Sequence, residues 1–158
     1  MHRILLDKLE YYGVKGLALS LFESYLSNRK QSTQIDDTIS ALELIEWGVP
    51  QGSVLGPLLF LIFINDIPFA SNLGTWLFAD DTCLVAAANN LIELQLYMNA
   101  EINKVQKWLL ANRLSVHYIK KSQYMLVNNH INWHIEGDNF ELNMGGHIIA
   151  RTKTYIAI

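Results

Sequence analysis

Two adjacent carboxylates, Asp80 and Asp81, stand between two short runs of β-forming residues, 75–78 and 82–87. Neighbouring residues on a regular strand point to opposite faces of a sheet. Both carboxylates can approach one site only if the chain turns tightly between them and their flanks. The apolar residues Trp76, Leu77 and Phe78 on one side, and Cys83, Leu84 and Val85 on the other, put that turn here. The pattern predicts a β-hairpin with an acidic tip. Such a tip suits a hard divalent cation, which prefers oxygen ligands. Asp80 is the candidate principal ligand and Asp81 the auxiliary one. The plainer alternative is a polar turn with no ligand.

A second segment constrains the chain upstream. Residues 48–57 read GVPQGSVLGP. Gly48, Gly52 and Gly56 permit backbone conformations and close approaches that a side chain would block. Pro50 stiffens the bend, and the polar Gln51 and Ser53 suit contact with a base pair or a sugar. The loop feeds an apolar helix expected over 58–65, with Pro57 tolerated in its first turn. The alternative is an ordinary loop leading into a helix.

The chain of 158 residues is long enough for one domain with a core. It is 51% hydrophobic and 17% charged, more apolar than a free-standing domain needs. A piece of a larger protein has this character, because its former internal interfaces remain apolar. The net charge of −3 gives no basic footprint for strong independent nucleic-acid binding. A local basic channel stays possible, since metal-site carboxylates count as negative until a cation neutralises them. The single cysteine, Cys83, excludes an internal disulfide and a cysteine-based zinc cluster. No apolar stretch approaches the roughly 20 residues of a membrane span. No signal-peptide pattern opens the chain, so an intracellular protein with no membrane partner is expected, with nucleus and cytoplasm both open.

Periodicity predicts an amphipathic helix over 2–12 and a second over 16–27, the latter with Leu17, Leu21, Phe22 and Tyr25 on one side. Residues 31–36 and 39–47 alternate as two strands joined near Asp36 and Asp37. The helix over 58–65 is apolar on all sides and should be buried. Asn90 followed by Glu93 is a capping-box pattern that starts a helix running to about Ala111. Its inward residues are Leu91, Leu94, Met98, Ile102, Val105, Trp108 and Leu109. Short strands follow at 114–118, 123–127, 131–135, 140–143 and 147–149. The fold class is α+β, with no linker and no internal repeat, and one domain over 1–158.

These segments together resemble the reverse transcriptases of non-LTR (LINE-like, jockey-like) retrotransposons. The likeness lies in GVPQGSVLGPLLF at 48–60, NDI at 65–67, FADD at 78–81, the W-x-x-x-N-x-L-S segment at 108–115, and Lys121 with Ser122. It covers about residues 3–127. The resemblance implies the antiparallel sheet and packed helices of a right-hand polymerase palm, partial here, with the fingers incomplete and the thumb absent. Residues to about 127 would form the fingers and palm segment, and 128–158 palm–thumb edge strands. The implied activity is RNA-directed DNA synthesis with two Mg2+ ions. It would use an RNA template, a DNA primer and deoxynucleoside triphosphates, with other polymerase segments as partners.

By the same resemblance, Asp80 and Asp81 are catalytic metal ligands. Pro50, Gln51, Gly52, Ser53 and Phe78 contact nucleotide and template. Lys121, with Lys120 as a second choice, lies near the incoming phosphates and could donate a proton to leaving pyrophosphate. The alternative for both lysines is a solvated turn. The family's first catalytic aspartate lies upstream of a segment like residues 2–14, so it is expected before Met1, and the isolated chain is expected to be inactive. Asp7, Asp36, Asp37 and Asp66 lack its sequence setting. A different class of function is a non-enzymatic remnant of a mobile element that binds nucleic acid or a partner. His130 and His134 share a spacing that a metal pair would use, but no third ligand accompanies them. Cys83 is expected to be small and buried, the four tryptophans to be core or former interface, and Arg29 and Lys30 to form a solvated helix end.

Overall fold

The computed structural model describes residues 2–45, 47–50, 52–117, 121–127 and 139–152. They form four α-helices and short strands that pair two at a time, an α+β composition. The chain folds as two compact units, Met1–Asn65 and Asp66–Ile158.

The first unit begins with α1 (His2–Tyr11), which buries Leu5, Leu6 and Leu9. Gly13 ends it with φ of 95°, and the Val14 amide reaches back to the Leu9 carbonyl at 3.0 Å. That left-handed turn satisfies a carbonyl the helix end leaves open. Helix α2 (Leu17–Leu26) buries Leu26, with Phe22 and Tyr25 half-buried. Leu17 and Leu21, expected on the same inward side, are exposed. The α2 sequence is apolar around most of its circumference, so periodicity could not single out the buried stripe.

Four short strands follow: β1 (Lys30–Gln31), β2 (Gln34–Ile35), β3 (Thr38–Ile39) and β4 (Glu43–Leu44). They make one interrupted hairpin, with Gln34 opposite Ile39 and Lys30 opposite Leu44, turning at Asp36 and Asp37 as expected. Ser40 spans the interruption by donating its amide to the Thr33 carbonyl and accepting the Thr33 amide on its hydroxyl.

Helix α3 (Leu55–Ile64) starts three residues earlier than the sequence suggested, and Pro57 lies in its first turn. It buries Gly56, Leu59, Phe63 and Ile64. Leu58 and Leu61 are half open to solvent, and Val54 just before the helix is 95% exposed. The expectation of an all-round buried helix is therefore corrected. An apolar circumference states what a helix could bury, but only the face that meets other elements is covered. That face meets α1, where the Lys8 ammonium donates to the Phe63 carbonyl at 2.6 Å and lies 4.7 Å from the Phe63 ring centre.

The second unit opens on a single 3-10 turn, Ile67–Phe69, containing Pro68. It leads into β5 (Gly74–Phe78) and β6 (Asp81–Val85), which pair antiparallel along their full lengths. Helix α4 (Leu91–Ala111) follows, capped as expected. The Asn90 side chain accepts the Glu93 amide at 2.8 Å, and its own amide reaches back to the Glu93 carboxylate at 3.4 Å. Ile102 and Val105 are buried, and Leu91, Leu94, Met98, Trp108 and Leu109 pack on the same core.

The strands after α4 are shorter than expected: β7 (Gln123–Tyr124), β8 (Asn143–Met144), β9 (His147–Ile148) and β10 (Ala150–Arg151). No strand forms over 114–117, while the strand expected over 131–135 lies outside the described residues, as do His130, His134 and Trp133. β8 and β9 form a hairpin, and β10 runs parallel to β7. The core joins Ile67, Leu73, Ile102 and Val105 to Phe140, Leu142, Met144 and Ile149. Helix α4 also closes the edge of the 141–145 segment with side-chain amides. Gln95 accepts the Glu141 amide, Asn99 donates to the Glu141 carbonyl and accepts the Asn143 amide, and Gln106 accepts the Gly145 amide, at 2.7–3.1 Å. No helix among the described residues is long and apolar enough to cross a membrane.

Candidate active site

The β5–β6 hairpin is built by alternation. Thr75 and Leu77 on β5 stand opposite Leu84 and Thr82 on β6, and Leu77 and Leu84 pack on the core of the second unit. Alternation sends the other set outward: Trp76 opposite Cys83, and Phe78 opposite Asp81. Trp76 is 61% and Phe78 83% exposed. Cys83 is exposed as well, which corrects the expected burial, because its register places it on the outer face.

The turn is Ala79–Asp80, one residue earlier than a tip made of both aspartates. Asp80 lies in the loop, while Asp81 opens β6 as the partner of Phe78. Ala79 has φ of 52°, and Asp80 is not left-handed. Positive φ at the first residue of a two-residue hairpin loop is a position that glycine normally fills. Alanine in that conformation carries strain of about 1–2 kcal/mol. The carboxylates are thus presented at a strained corner, both exposed. Neither is engaged by a hydrogen bond or ion pair with another described side chain.

Two adjacent exposed carboxylates fit a hard cation as part of a ligand set. Among the described residues no group of three or more His, Cys, Asp or Glu side chains gathers to complete one. Lys121 is exposed on the turn before β7, its amide bonded to the His117 carbonyl at 3.2 Å. Lys120 lies outside the described residues.

The glycine-rich loop belongs to the first unit. Gly48 and Gly52 have φ of 78° and 77° with open space where a Cβ would stand, so they serve turning rather than packing. Gly56 is different: a Cβ would come 3.0 Å from the Ser53 hydroxyl and 3.1 Å from the Pro50 carbonyl. That closeness lets Ser53 Oγ donate to the Pro50 carbonyl at 2.7 Å and accept the Gly56 amide at 3.0 Å. Pro50 and Ser53 are half-buried and Gly52 is exposed, while Gln51 lies outside the described residues. The Ser53 hydroxyl is therefore spent within the loop apart from one lone pair.

Two further residues support these features. His2 on α1 meets the Gly48 carbonyl through Nε2 at 2.7 Å. No sequence signal links positions 46 residues apart. Glu101 is buried on α4, accepting the Asn72 amide at 2.7 Å and the Lys104 ammonium at 2.5 Å. The Asn72 amide, then Lys104, hold its carboxyl below the ordinary 4.5. This clamp fixes the segment that leads into β5. Its signal was readable: Glu101 falls on the inward stripe that Leu94, Met98 and Val105 define.

Comparison with known proteins agrees with these motifs. Residues 1–149 match the reverse transcriptase (RNA-dependent DNA polymerase) family. The RNA-directed DNA polymerase from mobile element jockey of Drosophila funebris is 31% identical over 117 residues, covering 68% of this chain and 13% of that protein. The probable RNA-directed DNA polymerase from transposon BS of Drosophila melanogaster is 32% identical over 114 residues, 63% of this chain and 12% of that protein. Its counterpart from transposon X-element in the same species is 41% identical over 71 residues, 40% of this chain and 8% of that protein. The chain thus spans a small part, 8–13%, of the length of these relatives. No solved structure matches it. With the acidic hairpin, the glycine-rich loop and these relatives in agreement, the chain belongs to the reverse transcriptase family, on its non-LTR retrotransposon side.

Proposed function

We propose that this chain is a segment of a non-LTR retrotransposon RNA-directed DNA polymerase, contributing the palm hairpin that carries metal-binding carboxylates and the loop that borders nucleotide and template. Both compact units then belong to one reverse transcriptase domain. The observation that carries the reading is the strained Ala79–Asp80 corner, which presents to solvent two carboxylates that no other described side chain engages. A purely structural turn gains nothing from alanine at a left-handed position, and strain of this kind concentrates at functional sites.

Bound Mg2+ would supply activation of a primer 3′-hydroxyl and charge neutralisation on the triphosphate. Asp80 is the principal ligand, free in the loop to turn toward the cation, and Asp81 the second, fixed by its pairing with Phe78. The exposed Phe78 ring beside Asp81 offers an apolar surface to a sugar or base. Pro50, Gln51, Gly52 and Ser53 are the residues that would meet template and nucleotide. Lys121 is the candidate proton donor to pyrophosphate, exposed on its turn.

Two measurements test the reading. Mn2+ added to the chain should broaden the amide resonances of residues 79–82 first, and Asp80→Ala should abolish that effect. In a longer polymerase that carries this segment, RNA-templated primer extension with magnesium should fall by orders of magnitude in Asp80→Ala and less in Asp81→Ala. Cation binding that ignores both substitutions would remove the assignment, and so would extension that survives them.

A further inference from the structure

We propose that His2 is a positioning residue for the glycine-rich loop, holding the Gly48 carbonyl so that the segment from Gly48 to Gly56 keeps one conformation. The proposal rests on the reading above only in assigning that loop to template and nucleotide. A carbonyl oxygen accepts and never donates, so the 2.7 Å contact requires the hydrogen on His2 Nε2.

The loop needs such a tether. Gly48 and Gly52 are both left-handed with nothing within 4 Å of where a Cβ would be. No packing limits them, and glycine has more backbone freedom to lose than any other residue. Side-chain hydrogen bonds supply the restraint instead. Ser53 grips the C-terminal half of the loop through the Pro50 carbonyl and the Gly56 amide. His2 grips the N-terminal end. Its ring is half-buried, beside a hollow lined by Leu5, Val49, Leu59, Phe60 and Phe63. Helix α1 is itself anchored to α3 by Lys8 and its buried leucines, so the His2 ring passes a fixed position on to the loop. The contact is between residues far apart in sequence, which is what a device that sets loop placement requires, whereas a local turn would cap itself.

The test uses the full chain as wild type, His2→Ala and His2→Gln, since the glutamine amide can place a donor near the Nε2 position. Hydrogen exchange of the amides over 49–56 should speed up about three- to tenfold in His2→Ala, the factor expected for losing one net hydrogen bond. His2→Gln should restore slow exchange, and the amides of the second half of α1 and of α3 beyond Pro57 should not change. In parallel, affinity for an RNA–DNA template–primer with an incoming deoxynucleoside triphosphate and magnesium should fall by a similar factor in His2→Ala and recover in His2→Gln. Unchanged exchange in His2→Ala overturns the proposal. So does an increase spread evenly across residues 2–64, which marks general loosening, and so does a failure of His2→Gln to restore slow exchange. A wild-type chain that shows the exchange pattern but ignores template–primer leaves His2 as the loop's positioner and shows that this chain alone does not bind the template–primer.

Discussion

Ala79 occupies a conformation that costs an L-residue about 1–2 kcal/mol, whereas glycine there costs roughly 0.5–1 kcal/mol in extra chain entropy. The first quantity exceeds the second, so Ala79→Gly should raise stability, by up to about 1 kcal/mol. In a chain of this size that is a rise of about 2–4 °C in Tm, measured by thermal unfolding. A fall would mean that the corner is relaxed as alanine. The same residue shows where sequence reading stops. The two aspartates and their apolar flanks located the hairpin to within a residue. They did not show that only Asp80 lies in the loop, because that depends on which of two adjacent positions takes positive φ, and Ala-Asp-Asp carries no glycine to mark it. Cys83 was misplaced for a related reason: apolar flanks announce a strand, but not which alternate set faces the core.

At the scale of elements, α4 was legible in full, since its cap, length and inward stripe all follow from local rules. Asn90→Ala removes the side chain that receives the Glu93 amide and should destabilise the chain by about 1 kcal/mol in urea unfolding. Glu101 adds a pH dependence. Its carboxyl is held below the ordinary 4.5 by the Asn72 amide first and Lys104 second. A carboxyl lowered on folding stabilises fully above its unfolded value, and that stabilisation is lost as pH falls through the folded value. The stability gap between wild type and Glu101→Gln should therefore be constant near neutral pH and close below pH 4.5. A gap that widens on acidification would contradict the clamp. Helices α2 and α3 were read less well. Both are apolar around most of their surface, and which face is covered depends on neighbours that local periodicity does not encode.

For the whole molecule, the abundance of apolar residues remains visible as exposed Leu17, Val54, Phe69, Trp76 and Phe78. A chain that leaves this many large apolar side chains exposed should self-associate. Sedimentation should show mass rising with concentration at neutral pH, and Leu17→Glu combined with Val54→Glu should reduce that rise without lowering Tm. The motifs that mark the family in the sequence end at Val127, whereas the family match runs on to residue 149, and patterning assigns the last segment only edge strands. Yet among the described residues four of the eight buried in the second unit's core, Phe140, Leu142, Met144 and Ile149, come from there. During synthesis on a ribosome the two units thus have different timetables. Among the described residues, the last buried one of the first unit is Ile64 and that of the second is Ile149, so the first can close once Ile64 leaves the exit tunnel and the second only after Ile149 has followed. A nonsense codon near position 128 would spare the glycine-rich loop, the acidic hairpin and the segment at 108–115, and still release a second unit unable to close.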